Sequence, residues 1–227
     1  MTPQRIIKDS LYGQLARLTK SVAHPKRLEL IDLLCQSPKS VEQLAEQSGV
    51  GMTLASAHLK ELRQAHIVDA QKQGRHVIYR LACPQTASLL VMLRSIAADC
   101  LLELQDALDK VNGSAEPWVQ TDGPTLLRKA KRGEVTVLDV RPAQEFEARH
   151  LPHARNIPIA ELAKRLRELP KSKPVIAYCR GPYCLWSAEA VTLLKASGYR
   201  AYSWPEGGAN WIANDAEAAR EKTASGS

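Results

Sequence analysis

The stretch YCRGPYCLWS, Tyr178 to Ser187, gathers the residues best suited to chemistry. The apolar run KPVIAYC reads as a β-strand ending in Cys179, and SAEAVTLLKASG reads as a helix starting at Ser187. Backbone N–H groups that curl between a strand end and a helix start make a cradle for an anion. A thiol at that point ionises readily, because the same groups stabilise its thiolate. Cys179 is therefore the candidate nucleophile. Arg180, Gly181, Pro182, Tyr183, Cys184 and Leu185 form the loop around it, and Cys184 adds a second thiol.

The elements that must position this loop occupy the second half of the chain. With 227 residues, about two domains of ordinary size are expected. Hydrophobic residues make up 44% and charged residues 24%, a soluble globular balance. No apolar run approaches the ~20 residues of a membrane span, and the N-terminus lacks a signal-peptide core. A cytoplasmic protein without membrane attachment is expected. The five cysteines are too few for a disulfide scaffold in a chain of this length. The net charge of +7 is spread over both halves, so it marks no single nucleic-acid patch.

In the first half, Leu11, Leu15, Leu18 and Val22 share one helical side. Pro25 suits the start of a second helix, KRLELIDLLCQS. SVEQLAEQSG reads as a short helix with Ser40 as N-cap and Gly49 past its end. In the next helix, MTLASAHLKELRQAH, the spacing of Met52, Ala55, Leu59 and Leu62 predicts a core stripe. Thr53, Ser56, Lys60 and Arg63 repeat on the other side, with His58 between. Small hydroxyls followed by basic groups suit a major groove with phosphate contacts behind. The alternation in HIVDAQKQGRHVIYRL predicts a β-hairpin with Lys72 and Arg75 near its tip. Helix, turn, helix and basic hairpin make a mainly-α winged helix-turn-helix.

HPKRLELIDLL, SVEQLAEQSGV, HLKELRQAHIV and GRHVIYRL resemble the ArsR family of dimeric winged-helix repressors over roughly residues 10–110. The resemblance implies a homodimer reading a palindromic double-stranded operator. A long apolar stripe from Leu90 to Val111 on the helix 85–111 is the expected dimer seam. The family's paired-cysteine metal motif is absent, since Ser40 and Glu42 stand in its place, and the last helix holds no histidine. No metal site and no cofactor is expected. Some relatives sense reactive sulfur through one cysteine in each of two helices, which points to Cys35 and Cys100 as a candidate thiol switch. Cys83 is expected to be structural.

The domains expected are residues 1–111, a linker at 112–123 and residues 124–227. Beyond the linker, strands and helices alternate, which argues for an α/β domain with a parallel sheet flanked by helices. LDVRPAQEFEARHLPHARNIPIAEL, YCRGPYC and WPEGGANW resemble a single-domain rhodanese, a sulfurtransferase module, over roughly residues 122–215. The resemblance implies that Cys179 takes a sulfane sulfur from a small donor such as thiosulfate, carries it as a persulfide and passes it to a thiol acceptor. Asp139 and Arg141 match the family's bracing pair. The backbone amides of Arg180, Gly181, Tyr183 and Cys184 and the charge of Arg180 are the expected anion donors. The loop is longer than the usual one, ends in Trp186 where a basic residue is common, and carries Cys184. Two alternatives follow: a non-catalytic redox sensor using Cys179 and Cys184, or an arsenate-like oxyanion module.

Overall fold

The computed structural model describes residues 2–112, 118 and 122–224. The chain forms two compact units, Met1–Leu90 and Val91–Ser227.

The first unit opens with α1 (Pro3–Val22) and α2 (Pro25–Gln36), with Pro25 in the first turn of α2 and the His24 ring accepting from the Lys26 N–H as its N-cap. β1 (Lys39–Ser40) leads into α3 (Val41–Ser48). Ser40 and Gln43 close a capping box at the start of α3, and Gly49 ends it at a φ of 65°. After a tight turn comes α4 (Met52–Gln64), then the wing, β2 (Val68–Gln73) and β3 (His76–Leu81). The wing is antiparallel, with Gln73 opposite His76, so Gly74 and Arg75 form its tip. Gly74 has a φ of 59°, a conformation that glycine adopts without strain. β1 adds a third strand, pairing Lys39 with Tyr79.

α4 corrects the expected face assignment. Ala55, Leu59 and Leu62 are buried as expected, but Met52 is 49% exposed and His58 only 8% exposed. The buried stripe is thus 55, 58, 59 and 62, a strict three-and-four spacing that leaves the first turn outside the core.

The helix expected over 85–111 is two helices, α5 (Gln85–Cys100) and α6 (Leu102–Asn112). The physical reason lies at Leu101. Its carbonyl accepts from the N–H groups of Leu104 and Gln105, starting a new helix. The Gln105 side chain donates to the Ala98 carbonyl (2.7 Å), satisfying an acceptor at the end of α5. The division between the two units falls within α5, after Leu90.

The second unit continues with α7 (Gly123–Lys131), β4 (Thr136–Asp139), α8 (Ala143–Ala148), β5 (Arg155–Asn156), α9 (Ile159–Arg165), β6 (Val175–Tyr178), α10 (Trp186–Ala196), β7 (Ala201–Trp204) and α11 (Gly208–Ala224). The strands form one parallel sheet in the order β5-β4-β6-β7. Side chains alternate across it. Val137, Ile176 and Tyr178 join one core, and Leu138, Ala177 and Cys179 join the other. Both faces are covered, which explains why the strands read as unbroken apolar runs. Of the linker expected at 112–123, positions 113–117 and 119–121 lie outside the described residues. Trp118 is buried, and its backbone N–H donates to the Ser203 carbonyl (2.9 Å).

Candidate active-site loop and DNA-reading face

Asp139 and Tyr178 are partners in register at the C-terminal edge of the sheet, and Cys179 follows directly. That edge is where parallel α/β sheets place their ligands. Cys179 is 1% exposed. Its sulfur lies 3.3 Å from the Ser187 hydroxyl, 3.3 Å from the Cys184 carbonyl and 3.9 Å from the Gly181 carbonyl. Burial pushes the Cys179 thiol up. Hydrogen bonds from the Cys184 thiol, the Ser187 hydroxyl and the backbone of Gly181 and Ser187 outweigh it and bring it down to about 6. The Cys184 thiol is pushed up, first by its hydrogen bond to Cys179 and then by burial. One thiolate and one neutral thiol therefore share the loop near neutral pH.

One of the loop's amides and its cation have partners within the fold. The Cys184 N–H donates to the Gly181 carbonyl (3.1 Å), closing a turn within the loop. Arg180 is drawn to Glu145 instead, through hydrogen bonds of 3.0 and 2.6 Å. Its guanidinium also covers the Trp186 ring at 4.4 Å. Glu145 is buried, and a buried carboxylate needs a paired cation. Arg180 thus anchors the loop to α8, and Trp186, where a basic residue is common, is the surface it stacks on. The sequence marks neither Glu145 nor Ser187 as a site residue. The pattern in PAQEFEARH gives no sign that Glu145 points inward.

Asp139 and Arg141 meet as expected. Both are 0% exposed, and Arg141 Nη2 lies 2.6 Å from Asp139 Oδ2. Arg141 also donates to the Arg149 carbonyl (2.7 Å), and its guanidinium lies 5.1 Å from the centre of the Trp211 ring. Asn156 donates to the carbonyls of both Asp139 and Arg141. The pair is a brace beneath the loop. Gly207, in WPEGGANW, packs so closely on the loop that a methyl there would collide with the Arg180 carbonyl. Gly181 has a φ of 140°, which favours glycine. Pro182, Tyr183 and Leu185 line the outer part of the loop, and the last two are exposed. Within this same unit, the Arg94 guanidinium lies 4.8 Å from the centre of the Tyr183 ring.

In the first unit, Thr53, Ser56, Lys60 and Arg63 are exposed along one side of α4, and Lys72 and Arg75 are exposed on the wing. His58, expected on that DNA-reading face, instead packs its ring against His24, 4.4 Å between centroids. Three residues past Ala55 and four before Leu62, it falls in the buried stripe. Cys35 is buried at the end of α2, while Cys100 is exposed at the end of α5 and Cys83 is exposed after the wing. Among the described residues no cluster of three or more metal-ligating side chains occurs.

Residues 24–70 match the family model for bacterial regulatory proteins of the arsR family, and residues 124–215 match that for rhodanese-like domains. The HTH-type transcriptional regulator Rv0324 of Mycobacterium tuberculosis is 38% identical over 211 residues, spanning 93% of this chain and 92% of its own. The chain belongs to the arsR family of transcriptional regulators, in a form that carries a C-terminal rhodanese-like domain. Over its first half this ArsR-type regulator is also similar to the biofilm growth-associated repressor of Xylella fastidiosa, 34% identical over 37% of this chain and 74% of that one. Among solved structures, a homodimeric winged helix-turn-helix DNA-binding domain, Mb0332 of Mycobacterium bovis, is 35% identical over 44% of this chain and 94% of that one, with a TM-score of 0.41. For this regulator no helix among the described residues is long and apolar enough to cross a membrane.

Proposed function

We propose that this regulator is a cytoplasmic homodimeric repressor that links reactive sulfur to transcription, with Cys179 as the sulfur carrier. The observation that carries the reading is the setting of Cys179: a buried thiol at the sheet's C-terminal edge, ringed by donors that hold it as a thiolate. The thiolate attacks the outer sulfur of thiosulfate. The S–S bond of the donor breaks, sulfite leaves with the bonding electron pair, and Cys179 keeps the sulfur as a persulfide anion. The cradle that stabilised the thiolate then stabilises the persulfide. A polysulfide donor reacts in the same way, with a shorter polysulfide leaving.

The arsenate-like alternative is disfavoured by Arg180. The loop's own cation is committed to Glu145, and no arginine follows it before α10. For the operator, we assign the exposed Thr53 and Ser56 to base edges and the exposed Lys60, Arg63, Lys72 and Arg75 to phosphates. Homodimer formation is supported by apolar side chains left in solvent: Ile7, Leu11 and Leu15 on α1, and Met92 and Ile96 on α5.

The test is operator affinity before and after treatment with thiosulfate or a polysulfide, in wild type and Cys179→Ser, with the added sulfur followed by mass spectrometry. Sulfur uptake and a shift in affinity are expected in wild type and absent from Cys179→Ser. Cysteine-independent uptake overturns the carrier assignment, and uptake without any shift in affinity overturns the link to transcription.

A further inference from the structure

Cys179 is 1% exposed, so a sulfur carried on it is reached more readily by a group already within the loop than by a dilute external thiol. A second thiol is already inside. The chain from Cys179 to Cys184 doubles back through the turn closed by the Cys184 N–H and the Gly181 carbonyl. The fold brings the Cys179 sulfur to 3.3 Å from the Cys184 carbonyl oxygen. Cys184 packs against the same apolar cluster that holds Cys179. Both cysteines are free thiols in this structure. Arg180 and Gly207 fix the backbone between them from the two sides, so this approach is built into the loop.

We propose that Cys184 is a resolving thiol, which makes the loop a sulfane-sulfur reductase that releases hydrosulfide and records the event as a Cys179–Cys184 disulfide. This rests on the persulfide reading above. In the step, the Cys184 sulfur attacks the Cys179 sulfur of the persulfide. The bond between Cys179 and its outer sulfur breaks, and the outer sulfur leaves with that electron pair. The proton of the Cys184 thiol goes to the leaving sulfur, which departs as hydrosulfide. The outer sulfur is reduced and the two cysteines are oxidised to a disulfide.

A low-molecular-weight thiol resets the loop. Two equivalents reduce the protein disulfide and become a disulfide themselves. Over a full cycle, one thiosulfate and two thiols give sulfite, hydrogen sulfide and one small disulfide. Cys184 is the more accessible of the pair, so it is the sulfur an incoming thiolate attacks. The Cys184 thiol carries the proton that the leaving sulfur needs, and handing it to the persulfide leaves the thiolate that attacks. Being on the same loop, it outcompetes a dilute external thiol for the persulfide.

The experiment uses the reduced full chain freed of small thiols and given thiosulfate, or in a parallel sample a low-molecular-weight persulfide. Released sulfite and hydrosulfide are quantified in the thiosulfate sample and hydrosulfide in the other. Mass is read on the denatured protein, and tryptic peptides are mapped on either side of Arg180. Wild type is expected to release hydrosulfide stoichiometrically and to yield the two peptides joined by a disulfide. Cys184→Ser and Cys184→Ala are expected to take up one sulfur, keep it on Cys179 and release hydrosulfide only at background. If wild type also keeps the extra sulfur with no joined peptides, the resolving role is overturned and the carrier reading stands. Joined peptides without hydrosulfide overturn it in favour of direct oxidation. If neither Cys184 variant takes sulfur from either donor, the carrier reading itself falls.

Discussion

The two functional regions of this regulator handle charge in opposite ways. Around Cys179 the ionic groups are buried and already paired: Asp139 with Arg141, and Glu145 with Arg180. On α4 and the wing, Lys60, Arg63, Lys72 and Arg75 stand in solvent. Taking paired charges out of water demands good geometry from the fold itself, whereas exposed charges leave their pairing to a partner. The difference teaches where each function is built. The loop around Cys179 is organised before any ligand arrives. The operator face is only displayed, and its energy is realised on DNA. Substitutions in the first region are therefore expected to act through folding as well as chemistry, and those in the second through binding alone.

The sharpest way to break the comparison is to remove one partner of the innermost pair. Arg141→Met leaves Asp139 buried without its cation, at a cost of about 3–5 kcal/mol. All four tryptophans lie after residue 111, so their fluorescence during denaturant unfolding follows the second unit. A large fall in its midpoint is expected. A loss under about 1 kcal/mol would mean that the pair is replaceable and the loop less preorganised than its geometry implies.

On the display side, Lys60→Ala and Arg63→Ala are each expected to weaken operator binding and to lower the salt dependence of affinity by about one unit of log–log slope, with stability changing by less than about 0.5 kcal/mol. Thr53→Ala is expected to cost about 1–3 kcal/mol on the best site and less on unrelated DNA. Fluorescence anisotropy over a salt series separates the two kinds of contact. Equal loss on all sequences for Thr53→Ala would remove it from base reading.

Much of this architecture was legible in the chain. Capping residues, the hairpin tip and the apolar strands each follow from local rules, and Cys179 stands out because it closes a strand just before a glycine–proline loop. What escaped was tertiary. Arg180 looks like an anion donor until α8 folds back and presents Glu145, and nothing in the spacing of the two residues announces that meeting. Met52 and His58 exchanged places because each lies three residues from Ala55, so the spacing admits either, and position 58 also lies four residues before Leu62. The break at Leu101 shows only in the backbone bonds its carbonyl makes to Leu104 and Gln105, in a run whose apolar pattern continues unbroken.

Ser187→Ala probes the loop more gently. Cys179 keeps its thiolate through several hydrogen bonds, and losing the Ser187 hydroxyl removes one of them, worth about 1 kcal/mol. The folded thiol lies below its ordinary value of 9.0, so its thiolate stabilises the fold above that ordinary value, and this contribution is lost as pH falls through about 6. Sulfur uptake in wild type is expected to rise with pH through about 6 and level off. In Ser187→Ala the midpoint is expected to move up, so that the variant is slower near neutrality and converges with wild type at alkaline pH. Rates of sulfite release across a pH series give both midpoints. Coincident profiles would mean that the hydroxyl does not hold the thiolate.

His58 gives the smallest and most discriminating effect, because it is a buried titratable group within the region of displayed charges. Burial acts on it as on Cys179, against the charged form, but here nothing offsets it. The ring's Nε2 has no hydrogen-bond partner, and His24 and Arg27 nearby disfavour a further positive charge. Its value is accordingly pushed below the usual 6.5, first by desolvation. The unfolded chain then binds the proton more readily than the folded one, so stability contributed above 6.5 is lost as pH falls below it. His58→Leu is expected to abolish this acid sensitivity, change stability at neutral pH by less than about 1.5 kcal/mol and leave operator affinity intact. Circular dichroism melts at neutral and mildly acidic pH, with anisotropy on the operator, test all three. Lost affinity with an intact fold would return His58 to the reading face.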